Sequence, residues 1–118
     1  MKKIEKNISK LLFYCGNLKK KDKVLVISDT LTKDLGNKIF SFLNKKKIQA
    51  DQVVLKPFIL PGMEPPKKVF NKMLKSNLIV GLTSKSMCHT KSRVKACNKG
   101  AKYLSLPDYS SSVLNSKS

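Results

Sequence analysis

The sequence predicts a small doubly wound α/β sandwich, with about four parallel strands in one sheet and helices on both faces. Three observations carry that expectation. Some segments repeat apolar residues at three-to-four spacing, while others are short, unbroken apolar runs. The two kinds alternate along the chain, as strands and crossover helices do. The unbroken runs are the pattern of strands covered on both faces.

Ile4, Ile8, Leu11, Leu12 and Cys15 recur at helical spacing and predict a first helix ending at Gly16. After the turn LKKKD, the run KVLVIS (Lys23–Ser28) reads as a buried strand. Leu31, Leu35, Ile39, Phe42 and Leu43 restore the helical period, which ends in NKKK. DQVVLKPF supplies a second strand at Gln52–Lys56, and the prolines of ILPGMEPP exclude regular structure after it. KKVFNKMLK is a short helix with Val69, Phe70, Met73 and Leu74 inward. A third strand spans Asn77–Thr83, and a helix over Thr90–Lys99 is stopped by Gly100. A fourth strand, Lys102–Leu106, is ended by Pro107. Strand order 2-1-3-4 is favoured over 3-2-1-4. At 118 residues the chain is read as a single α/β domain, residues 1–108, with 109–118 a polar tail or linker stub.

Charge is the most unusual feature: 25 basic against 7 acidic residues, for a net +18. So basic a surface attracts phosphate and releases counterions, which points to nucleic acid or another polyanion. Of the 25, however, 24 are lysine and Arg93 is the single arginine, whereas base reading and bidentate phosphate grip favour the guanidinium fork. Phe13, Phe40, Phe42 and Phe70 fall on apolar helix faces rather than in an exposed stacking row. The nucleic-acid partner this allows is therefore weak and non-specific. A dense lysine face would favour a basic accessory protein binding RNA or another polyanion; an even spread would favour a non-catalytic scaffold or partner-docking module with a solvated lysine surface.

Cys15, Cys88 and Cys97 are odd in number and contain no C-x-x-C pair, and the N-terminus lacks the pattern of a signal peptide, so reduced thiols and a cytoplasmic location are expected. No stretch approaches the ~20 apolar residues of a membrane span, so no membrane partner is expected.

Ligands of doubly wound sheets bind beyond the carboxyl ends of the strands. Those ends here are SDT (Ser28–Thr30), KPFILPG (Lys56–Gly62), TSKSMCHT (Thr83–Thr90) and PDYSSS (Pro107–Ser112). Thr83, Ser84, Ser86 and Thr90 bring hydroxyls there, Lys85, Lys91 and Arg93 bring charge, and His89 and Asp29 complete the candidate edge. With the amides of the following helix, this set suits a phosphate or carboxylate. The same hydroxyls also suit helix capping. No glycine-rich phosphate cradle occurs. Cys88 beside His89 is a weak catalytic signal, because a thiol and its base meet in space rather than as sequence neighbours. One histidine and scattered carboxylates lack metal-ligand spacing. Asp29 ends the first strand as a phosphoacceptor would, but the acidic pair and an Asp on the third strand are missing, and that reading is set aside. Neither a catalytic residue nor a metal ligand is assigned.

The run PGMEPPKKVFNKMLKSNLIVGLTSKSMCHTKSRVKACNKGAKYLSLP resembles the N-terminal domain of the thermophilic-metalloprotease family of aminopeptidases, the leucyl aminopeptidases that include aminopeptidases T and S. The matching residues are Glu64-Pro65-Pro66 before a helix, a strand ending at Thr83, His89-Thr90 opening a helix, then Arg93, Ala96, Gly100-Ala101 and a strand ending at Pro107. The segment LKKKDKVLVISD is similar to the family's first strand. Asp108 departs from an expected glycine and Lys102 from a common arginine. The resemblance implies a hydrolase family whose two divalent metals are bound by a C-terminal part beyond this sequence, so that no cofactor belongs to these residues. It implies a non-catalytic scaffold or cleft wall, inactive alone, whose partner is a metal-binding catalytic domain or subunit. His89 then anchors a loop.

Overall fold

The computed structural model describes residues 3–10, 12–13, 18–19, 21–56, 64–82 and 90–105. Eight elements follow in chain order: α1 (Lys3–Lys10), β1 (Val24–Asp29), α2 (Lys33–Lys45), β2 (Ala50–Leu55), α3 (Lys67–Leu74), β3 (Leu78–Gly81), α4 (Lys91–Asn98) and β4 (Lys102–Ser105). All four strands pair in parallel in one sheet of order β2-β1-β3-β4. Order reverses at β1, with β2 on one side and β3 then β4 on the other, as in a doubly wound sheet.

β1 is buried at every position, and its side chains serve two cores in alternation. Val24 and Val26 join Ile8 of α1 and Leu35, Ile39, Phe42 and Leu43 of α2. Leu25 and Ile27 join Val69 and Met73 of α3 and Ala96 of α4. β3 divides the same way, Leu78 and Val80 to the first core and Ile79 to the second. A fully buried aliphatic side chain contributes about 1.5–3 kcal/mol, so the α1/α2 layer, with its larger residues, holds more of the stabilisation than the α3/α4 layer, where α4 offers a single methyl.

Two helices end in the same way. At α2, Lys47 N–H donates to Asn44 O and Ile48 N–H to Leu43 O; at α4, Gly100 N–H donates to Cys97 O and Ala101 N–H to Ala96 O. Both are Schellman closures, each sealed by an apolar pair inside a core: Leu43 with Ile48, Ala96 with Ala101. The closure needs a left-handed residue, which at α4 is Gly100 with φ 107° and at α2 is Lys47 with φ 60°.

Two glycines mark close approaches. A Cβ on Gly36 would lie 2.9 Å from Ser28 Oγ, so α2 seats directly on β1. A Cβ on Gly81 would collide with the hydroxyl of Tyr103 on the neighbouring strand β4, whose Cζ would be 2.7 Å away.

The sequence expectations shift at several ends. Leu31 continues the helical period on paper, yet α2 begins at Lys33 and Leu31 is 73% exposed, because the Asp29 carboxylate takes the Leu31 and Thr32 amides into a turn. β2 starts two residues before Gln52, since the α2 closure delivers Ala50 beside Val24. Phe70 and Leu74 are half-buried, leaving Val69 and Met73 as the buried residues of α3. Phe13 is 37% exposed. Thr83, Leu106 and Pro107 lie outside the described residues, as do Gly16 and the 109–118 segment.

Candidate functional site

At the carboxyl edge of the sheet, Asp29 ends β1 with no solvent exposure. Its Oδ1 accepts from Leu31 N at 2.9 Å, Thr32 N at 3.1 Å and Thr32 Oγ1 at 3.2 Å, while Asp29 N donates back to Thr32 Oγ1 at 3.0 Å. This reciprocal set shapes the β1–α2 turn and places the negative charge at the start of α2, where the helix dipole favours it.

The second cluster forms at the first turn of α4. Thr90, 1% exposed, is its N-cap, with extended backbone and Oγ1 accepting from Arg93 N at 3.1 Å. The Lys91 and Ser92 amides, which the sequence offers to an anion, donate to the Glu64 carboxylate at 2.7 and 3.0 Å, and Ser92 Oγ donates to it at 2.7 Å. Glu64 reaches this position because Pro65 and Pro66 follow it: Pro66, at φ −56° and ψ 153°, holds the backbone extended up to the first residue of α3. Burial pushes the Glu64 carboxyl up, but the Ser92 hydroxyl and the Lys91 and Ser92 amides outweigh it and hold the group below its ordinary value.

Of the sequence candidates, Thr90, Lys91 and Arg93 are brought together on one turn, and Asp29 lies on the same edge of the sheet at the end of β1. Thr83, Ser84, Lys85, Ser86 and His89 lie outside the described residues, as does Cys88. Glu64 and Ser92 were not singled out as site residues. The available signal was an acid directly before two prolines and a threonine-headed helix with no acid in its own first turn, so that its capping charge comes from elsewhere in the chain. Among the described residues no group of three His, Cys, Asp or Glu is placed to hold a metal. Among them, too, no helix is long and apolar enough to cross a membrane.

The lysines occupy both helical layers, with Lys38 on α2 and Lys72 and Lys95 on α3 and α4. Among the described residues their densest gathering is at the opposite, amino-terminal edge, where the chain runs into each strand. The approach to β1 carries Lys19, Lys21 and Lys23, and the approach to β2 carries Lys45, Lys46 and Lys47. β3 is preceded by Lys75, and β4 by Lys99 with Lys102 as its first residue. Backbone hydrogen bonds from Val24 N to Gln49 O, from Asn77 N to Lys23 O and from Lys102 N to Asn77 O tie these four approaches into one row.

Compared with known protein families, curated proteins and solved structures, the chain matches none.

Proposed function

We propose that this chain is a non-catalytic α/β domain related to the N-terminal domain of the thermophilic-metalloprotease aminopeptidases. It acts as scaffold or cleft wall for a metal-bearing catalytic half supplied from outside these residues. The observation that supports this reading is the Glu64 clasp on α4. It joins the two stretches that carry the resemblance, Glu64-Pro65-Pro66 and Thr90 to Arg93, and gives them a positioning task. Described polar groups at the carboxyl edge, the Asp29 and Glu64 carboxylates among them, are engaged with backbone amides of their own chain. Such an edge is suited to present a fixed surface to a partner.

The reading is tested in two steps. The isolated chain is assayed for leucyl-anilide hydrolysis with added zinc, cobalt or manganese, and no turnover is expected. The chain is then purified from its native cells. A companion polypeptide with stoichiometric divalent metal and chelator-sensitive leucyl-anilide hydrolysis is the expected result. Turnover by the isolated chain, or a chain that purifies without a metal-bearing companion, overturns the proposal.

A further inference from the structure

We infer that the amino-terminal edge of the sheet is a docking surface for the phosphodiester backbone of double-helical nucleic acid, engaged without regard to sequence. This goes beyond the scaffold reading and uses the opposite edge of the sheet, so either can fail without the other.

The lysines are placed in register with the sheet. Nine described lysines stand on four adjacent strand approaches, whose order across the edge is β2, β1, β3, β4. Helix dipoles account for lysines in the last turn of α2 and after α3 and α4, since cations are favoured at helix C-termini. They do not account for Lys21 or Lys23, which stand at no helix end.

Charge is also segregated between the two edges. Asp29, Asp34 and Glu64 stand at the other edge, where strands end and helices α2 and α4 begin. At the lysine edge Asp22 is 9% exposed, accepts from Lys19 N at 2.9 Å and lies 3.8 Å from Lys102 Nζ. Asp51, one residue into β2, is engaged by Lys72 at 2.6 Å. The outward charge of the edge is therefore strongly positive.

The backbone of Lys47 is unusual for its residue type. Its left-handed φ of 60° is the conformation glycine adopts at low cost, and the equivalent closure at α4 uses Gly100. A lysine held there keeps a charge on the edge against local preference, as strained residues do at functional positions.

The partner follows from dimensions and side-chain type. Four strands about 4.8 Å apart make an edge about 15 Å wide. A duplex carries one charge per about 1.7 Å of axis, or about eight or nine over that width, of which roughly half face one side. Compact ammonium groups on a pre-formed row match such a charge array and release its condensed counterions, whereas single strands call for an exposed aromatic row. Among the described aromatics, Phe42 is buried and lies 5.7 Å below Lys46 Nζ, so its face is already covered by a cation.

The test is a salt titration of binding to several short, unrelated DNA and RNA duplexes, read by fluorescence anisotropy. Expected are affinities on the order of micromolar or weaker at physiological salt, equal across sequences, with a log–log salt slope of about −4. The variant Lys45→Gln/Lys46→Gln/Lys47→Gln should reduce the magnitude of that slope by about 2 to 3. Lys33→Gln/Lys56→Gln/Lys67→Gln, which removes the same charge from the carboxyl edge, should leave it unchanged. All six side chains are exposed, and thermal denaturation is to check that both variants fold. Equal losses from the two variants overturn the inference. So does a strong preference for one sequence, or affinity for polyglutamate or anionic vesicles of matched charge that equals or exceeds that for duplex.

Discussion

The Glu64 carboxylate accepts the Ser92 hydroxyl at 2.7 Å across 28 residues of sequence, and in doing so fastens the segment before α3 to the head of α4. Glu64→Ala removes the acceptor of two amides and one hydroxyl. It should cost about 1 kcal/mol, in the range of a lost helix cap. Denaturant unfolding measures the total. Amide exchange locates it: amides in α4 should exchange faster while those of α2 stay unchanged. An unaltered exchange pattern in α4 would show that the clasp does not hold the helix.

The same contact is pH-dependent. Its hydrogen bonds hold the folded carboxyl below the ordinary glutamate value, so the unfolded chain takes up its proton first as pH falls. The contribution is therefore present above that ordinary value and is lost as pH drops through the lowered folded value. Glu64→Gln should remove this dependence, and comparing acid unfolding of the two proteins checks it. The exposure of Glu64 keeps the effect small.

Gly81→Ala should destabilise by about 1–3 kcal/mol, because the new Cβ meets the Tyr103 ring between the buried strand β3 and its half-buried neighbour β4. In a Tyr103→Val background the same substitution should cost less, and the double-mutant cycle gives the coupling directly. Additive costs would mean that the ring is not what excludes the methyl.

The two Schellman closures predict opposite responses to one exchange. Lys47→Gly should stabilise by about 0.5–1 kcal/mol, since it relieves a left-handed lysine, while weakening duplex binding. Gly100→Ala should destabilise by about 1 kcal/mol, since no neighbour lies within 4 Å to be displaced and only the backbone conformation is penalised. Thermal denaturation of the pair decides both.

How far this was legible in the sequence depends on the range of each interaction. The runs at Val24–Asp29 and Leu78–Gly81 are buried on both faces, and burial writes itself into consecutive residues, so strands and crossovers could be read, while the β2-β1-β3-β4 order could only be favoured over one alternative from the usual arrangement of doubly wound sheets. Gly100 announced the end of α4 because its backbone needs are local. Lys47 did the same work at α2 with no sequence signal, since nothing in a lysine indicates φ 60°. Leu31 misled because periodicity ignores the Asp29 turn. Glu64 could be named but not placed, because its partners lie beyond an intervening helix and strand. The lysine edge was hidden for a similar reason: the approaches that form it are scattered along the chain, and only sheet order makes them neighbours.

The central position of β1 also sets the order in which the chain can assemble. Its pairing with β2 spans 26 residues, as in Val24 with Ala50, while its pairing with β3 spans 54, as in Val24 with Leu78. Loop-closure entropy rises with the span, so β1, α2 and β2 form the natural nucleus, and β3 with α4 and β4 joins afterwards. Substitutions such as Ile39→Val should then slow refolding, whereas Ala96→Gly, in a helix that docks late, should mainly accelerate unfolding. A domain that closes in this order commits its α1/α2 half before α4 docks, so the Glu64 clasp is among the last contacts made and the first released.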